Sequence, residues 1–170
     1  MTPDTNEGDH DVRKDGLEAT LADAREIGAT RKQEGWYPII VPAGDTTPVP
    51  DIDDIDDPWG FVHTIPSNVA DEVTGAVEEG TFPKYDVYRN RVDNDVYFVT
   101  ELLDPEAQIC LLVVGMYSID DADTLYQQAV RNGSIRTHLQ TLDGSVIASF
   151  EHEAVEKFFP DVMDALAGRK

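Results

Sequence analysis

KYDVYRNRVDNDVYFVTELLDPEAQICLLVVGMY, residues 84–117, is the stretch that decides the fold. Asp93-Asn94 sits between the runs Lys84–Val92 and Asp95–Leu103 as a two-residue hairpin turn. Leu103-Asp104-Pro105-Glu106 then turns the chain into a third run, Ala107–Tyr117. From Ile109 to Val114 this run is apolar at every position, which predicts a central strand covered on both faces. Cys110 lies inside it as the single cysteine, so an intramolecular disulfide is impossible and the residue reads as core packing.

Toward the C-terminus, Ser118 with Asp121 predicts the cap of a helix carrying Ala122, Leu125, Tyr126, Ala129 and Val130, which Asn132-Gly133 ends. Ile135–Leu142 and Ser145–Phe150 alternate around Asp143-Gly144, the strongest hairpin signal in the chain. Ala154, Val155, Phe158 and Phe159 mark a last helix, which Pro160 breaks or restarts before Val162, Met163 and Leu166. Toward the N-terminus, Phe61–Ile65 reads as a short strand closed by Pro66. Ser67 then caps a helix that buries Val69, Ala70, Val73, Ala76 and Val77 and stops at Gly80. The order helix, three strands, helix, two strands, helix predicts an α+β domain, a two-layer antiparallel sheet with helices packed on it.

Residues 59–170 make up this compact domain, and residues 17–58 precede it as an N-terminal helix and a Pro/Asp-rich extended segment. Leu17, Leu21, Ala24 and Ile27 or Gly28 recur at helical spacing. Asp15 and Glu18 read as an N-terminal capping pair, and Gly35 as the stop after Glu34. The apolar stripe is thin, which suits the edge of a domain or a partner surface. Trp36–Pro42 is apolar and bracketed by prolines, hence an edge strand or an extended clamp. Ala43–Pro58 reads as an irregular loop, and residues 1–16 have the composition of a disordered acidic tail.

The chain carries 34 acidic and 13 basic side chains, a formal net charge of −21 over 170 residues. Asp outnumbers Glu by 22 to 12. Short carboxylates hold water and hydrated cations close, whereas long lysine stems expose methylenes that concentrated salt drives together. At roughly 0.15 M salt, with a Debye length of about 8 Å, such charge destabilises a compact state; at molar salt the length is about 3 Å and the penalty nearly vanishes. The composition therefore points to a cytoplasmic protein of a salt-accumulating organism. DNA, RNA and anionic membrane all need clustered Lys and Arg, which no stretch supplies, so nucleic-acid and membrane partners are argued against. No uncharged run approaches the ~20 apolar residues of a membrane span, and the first 16 residues are too polar for a signal peptide.

The segments Trp59–Pro66, Phe82–Asn90, Val99–Pro105 and Lys157–Pro160 resemble those of an uncharacterised family of haloarchaeal proteins, a likeness spanning roughly Trp36 to Asp161. It implies habitat and carries no activity. The element order is also similar to that of the type III secretion chaperone-like fold, whose members are small, often acidic, frequently dimeric and bind other polypeptides.

No phosphate loop, dinucleotide fingerprint, Gly-x-Ser-x-Gly elbow or His-Glu-x-x-His motif is present, so no catalytic residue and no cofactor is assigned. An EF-hand loop begun at Asp51 fails, with Ile55 at a ligand position and Asp56 where glycine is required. His10, His63, His138 and His152 show no metal-ligand spacing, so no metal is expected. The candidate binding residues are Trp59, His63, Arg89 and Arg91. His63 lies in a short strand beside Trp59, before a helix. Arg89 and Arg91 share one strand face, where they either receive a ligand carboxylate or phosphate or pair across the hairpin with Glu101 or Asp95.

Three functional readings fit these residues. The first is a non-enzymatic protein-interaction or chaperone-like module that binds a protein partner or a second copy of itself. The second is a small-molecule or anion sensor using Arg89, Arg91 and His63. The third is an enzyme with a dispersed site around His63 or His138.

Overall fold

The computed structural model describes residues 5–50 and 59–160, with side chains from residue 12 onward. Helix α1 (Thr5–Gln33) leads into strands β1 (Tyr37–Pro42) and β2 (Asp45–Val49). There follow β3 (Gly60–Thr64), α2 (Ser67–Glu79), β4 (Lys84–Val92), β5 (Asp95–Asp104), β6 (Ile109–Ser118) and α3 (Ile119–Asn132). β7 (Ile135–Gln140), β8 (Val146–His152) and a 3-10 turn at Val155–Lys157 complete the described chain.

The α+β class is as expected, but the strands form two mixed sheets where one antiparallel sheet was predicted. One sheet has the order β1-β6-β5-β4 and the other β2-β3-β7-β8. The hairpins β4–β5, β5–β6 and β7–β8 are antiparallel, as their turns dictate. The pairs β1·β6 and β3·β7 are parallel and join residues as distant as Tyr37 and Ile109, or Phe61 and Thr137. Turn chemistry reports only on neighbouring strands, which is why these two pairings escaped the sequence.

Strand parity sorts the side chains. In β5, Val99 and Leu103 face outward with Cys110, Leu112 and Val114 of β6, and α1 covers them with Leu17, Leu21, Ala24 and Ile27. β6 is interior to its sheet and covered on both faces, as its apolar run predicts. The inner faces of the two sheets meet in two apolar clusters. One holds Phe61, Phe98, Tyr117 and Ile135 with α3, Phe158 and Phe159. The other holds Ile65, Leu102, Val113 and Leu139 with Ala70, Val73 and Ala76 of α2.

Between the two clusters runs a polar layer. β5 places Thr100 between Phe98 and Leu102, β3 places His63 between Phe61 and Ile65, and β7 places Thr137 between Ile135 and Leu139. All three polar side chains are fully buried. His152 joins them through its Nε2, 2.8 Å from Thr137 Oγ1.

A buried ion pair clamps the C-terminal end of α1. Arg31 donates from Nε and Nη2 to the two oxygens of Glu101 at 2.8 and 3.0 Å, and Tyr88 adds its hydroxyl at 3.3 Å. Glu101 is wholly buried. The hydrogen bonds to Glu101 raise the Arg31 pKa further above its already high value.

Several local expectations need correction. α1 begins at Thr5, so residues 5–16 are helical where a disordered tail was predicted, and Asp15 and Glu18 lie inside the helix instead of capping it. Asp45–Val49 forms β2 within the predicted loop, because alternate backbone groups find a partner in β3. Ser67 follows the cap residue Pro66, and Ser118 makes no side-chain cap bond. Its hydroxyl instead accepts from Asn94 Nδ2 at 3.0 Å, while the Ile119 N–H donates to the Asn94 carbonyl at 2.8 Å. Gly133 does end α3 in the left-handed conformation, at φ 73°. The Asp143-Gly144 loop is wider than two residues, closed by the Thr141 N–H on the Ser145 carbonyl at 3.0 Å. The predicted last helix is reduced to the 3-10 turn before Pro160. Val162, Met163 and Leu166, the acidic run Asp51–Asp57 and the side chain of His10 lie outside the described residues.

Candidate functional site

The chain crosses from one sheet to the other directly after β1. The Ala43 N–H donates to the Val114 carbonyl of β6 at 3.0 Å, and the Gly44 N–H donates to the Thr64 carbonyl of β3 at 2.9 Å. Two successive residues thus hang on different sheets. Beside this crossing, between it, α1 and the end of β6, lies a cavity of about 650 Å³ that is partly open to solvent. Leu17 and Leu21 of α1, the segment Pro42–Thr46 and residues Val114–Ser118 at the end of β6 wall it. Its size is that of a small-molecule site, and apolar lining predominates.

Thr46 and Gly115 line this cavity, and His63 lies behind them. Thr46 Oγ1 is 2.9 Å from His63 Nδ1. A Cβ on Gly115 would collide with Thr46 Oγ1 and lie 3.0 Å from His63 Cε1 and Nδ1. Glycine here is a requirement of close approach. Burial lowers the His63 pKa to about 3, helped by the charge of nearby His138 when protonated, so the ring is neutral around pH 7. Its Nε2 is buried without a hydrogen-bond partner.

The charged lining is mixed. Arg13, Lys14 and Glu18 of α1 line the cavity together with Asp45 and Asp121. Arg13 also pairs with Asp95 at 3.1 Å.

The other two described histidines are hydrogen-bonded within the protein. His138 Nε2 donates to the Trp59 carbonyl at 2.8 Å, which fixes the tautomer and makes Nδ1 the acceptor from Ser149 Oγ at 2.7 Å. Burial holds its pKa below the ordinary value. The His152 ring centroid lies 4.3 Å from that of Tyr85, the two rings tilted by 49°, and burial lowers the histidine's pKa to about 4. Burial also pushes the Cys110 thiol up to about 12, consistent with a packing residue.

The four predicted binding residues do not share one site. Trp59 is half-buried, with the Arg136 guanidinium 4.8 Å above its ring. Arg89 Nε donates to the Lys157 carbonyl at 3.1 Å, and Arg91 Nε to the Asp93 carbonyl at 2.8 Å. Neither pairs with Glu101 or Asp95, because the register sets Arg89 opposite Phe98 and Arg91 opposite Val96, on the other face of the sheet from those carboxylates, which Arg31 and Arg13 from α1 hold. Trp59, Arg89 and Arg91 are not among the residues lining the cavity, and His63 lies behind two that are, Thr46 and Gly115. The residues missed are Thr46 and Gly115. The glycine interrupting Leu111-Leu112-Val113-Val114 was the available signal, since a strand-interior glycine marks close backbone approach.

No group of three or more metal-ligating side chains exists among the described residues. Among the same residues no helix is long and apolar enough to cross a membrane. No curated protein and no solved structure matches the chain, so the expected chaperone-like topology finds no counterpart there. A family of unknown function (DUF7529) matches residues 4–160, and the chain belongs to that family.

Proposed function

We propose that the chain is a non-enzymatic ligand-binding module that takes a small, largely apolar molecule in the cavity between α1, the β1–β2 crossing and the end of β6. One observation carries the reading: a hollow of about 650 Å³ whose surface is more apolar than polar, bordered by Arg13, Lys14, Glu18, Asp45 and Asp121. The weak basicity of His63 supports binding over catalysis, because a ring with a pKa near 3 is a poor general base for the Thr46 hydroxyl. Ligand-observed NMR with a neutral fragment library tests it, comparing the wild type with Ala43→Trp, which fills the cavity. Hits on the wild type that vanish in A43W support the module. No hits, or hits equal in both proteins, refute it.

A second reading, docking of a protein partner or a second copy, is favoured by β4. Its side chains are exposed from Tyr88 to Val92, and among the described residues it pairs only with β5. Arg89 and Arg91 then serve as the charged rim of an edge contact. Light scattering in molar KCl separates the two, since a strict monomer removes self-association. The net charge of −21 supports the further reading of a salt-adapted, cytoplasmic, haloarchaeal-type protein.

A further inference from the structure

Resting on the cavity as a ligand site, we propose that the Thr46 hydroxyl is a hydrogen-bond donor to a neutral carbonyl oxygen of the ligand. His63 is the positioning residue that turns the hydroxyl toward it.

A neutral imidazole carries one N–H, and the two tautomers of His63 have unequal costs. With the hydrogen on Nε2, a buried N–H would stand with no acceptor, because Nε2 has no partner. Orphaned buried donors are rarer than under-satisfied acceptors. With the hydrogen on Nδ1, the ring donates to Thr46 Oγ1 across 2.9 Å and leaves only a lone pair unpartnered at Nε2. The second arrangement is the cheaper one. It also occupies a Thr46 lone pair, so the threonine's own hydrogen has to be donated elsewhere. Thr46 lines the cavity, and the absence of a side chain on Gly115 beside it lets the hydroxyl sit against the His63 ring.

The surrounding charge selects among acceptors. Arg13 and Lys14 against Glu18, Asp45 and Asp121 leave the described lining with one excess negative charge, inside a chain of net −21. A carboxylate or phosphate meets repulsion there, whereas a ketone, ester or amide does not. Leu17, Leu21, Val114 and Met116 supply apolar wall for the rest of the molecule. The ligand class is therefore an apolar body ending in an uncharged carbonyl.

Nile red, a neutral dye whose emission moves to the red when its carbonyl accepts a hydrogen bond, is a direct probe of the wild-type protein in molar KCl. Thr46→Val is expected to weaken its binding about two- to tenfold and shift its emission to the blue, with Thr46→Ser restoring both. 2-Decanone is expected to displace the dye at lower concentration than decanoate. Long-range proton–nitrogen NMR of labelled histidine is expected to show His63 protonated at Nδ1. Dye binding abolished by A43W but indifferent to T46V overturns this inference and leaves the ligand site standing. A His63 protonated at Nε2, or tighter displacement by decanoate, also overturns it. Failure of the dye to bind the wild type overturns both readings together.

Discussion

Replacing Arg31 with Met strips a buried carboxylate of its counter-ion. In the wild type both oxygens of Glu101 accept from the guanidinium, at 2.8 and 3.0 Å, and Glu101 has no exposed surface. Met keeps the aliphatic stem against the sheet but supplies no donor, leaving only the Tyr88 hydroxyl at 3.3 Å. Removing one partner of a buried pair costs about 3–5 kcal/mol, much of it the penalty of an uncompensated charge. Arg31 keeps 27% of its side chain exposed, so water reaching the gap places the expected loss near the lower end, about 3 kcal/mol. Replacing both partners at once, Arg31→Met with Glu101→Met, removes the charge along with the donor and should return stability to within about 1.5 kcal/mol of wild type. Urea unfolding at constant molar KCl measures both, because urea leaves ionic strength unchanged. The single-variant loss should persist in that salt, since buried pairs are little screened. A loss below about 1 kcal/mol for R31M, or a double variant no better than the single, refutes the clamp.

The buried histidines make stability fall on acidification. Their folded pKa values lie below the ordinary 6.5, so the unfolded chain binds more protons; stability is complete above about pH 6.5 and is lost as pH falls toward about 4 for His152 and about 3 for His63. Each contributes a slope of about 1.4 kcal/mol per pH unit in its window. Urea midpoints that stay level between neutral and mildly acidic pH would contradict neutral burial. Gly115→Ala forces a methyl into Thr46 and His63 and should destabilise by about 1–3 kcal/mol in the same urea assay; an unchanged midpoint means the approach is looser than described. Dilution from molar to millimolar KCl should lower the thermal midpoint, since 21 uncompensated charges lose their screening. Equal midpoints at the two salt levels refute salt adaptation.

The legible parts of the fold were those written in local chemistry. Asp93-Asn94 and Asp143-Gly144 announced their hairpins, Gly133 its helix end, and the apolar run Ile109–Val114 its central position. What escaped depended on partners distant in sequence. β2 holds Thr46, Thr47 and Pro48, a composition that reads as loop, and becomes a strand only because β3 offers it a ladder. The helix start was missed because residues 5–16 have no apolar stripe to reveal it. The candidate site shows the same division. His63 was singled out as a histidine in a short strand, but its role depends on Thr46 and on a glycine in β6, far along the chain. Arg89 and Arg91 stood out as bases in an acidic chain, yet both donate to main-chain carbonyls at the surface.

The most direct test of the ligand site is chemical-shift mapping of a 2-decanone titration in molar KCl. The cavity account predicts saturable shifts concentrated at Leu17, Thr46, Gly115 and Met116, and absent in A43W. Saturable shifts running along Tyr88–Val92 of β4, or no saturable shifts at all, would contradict it.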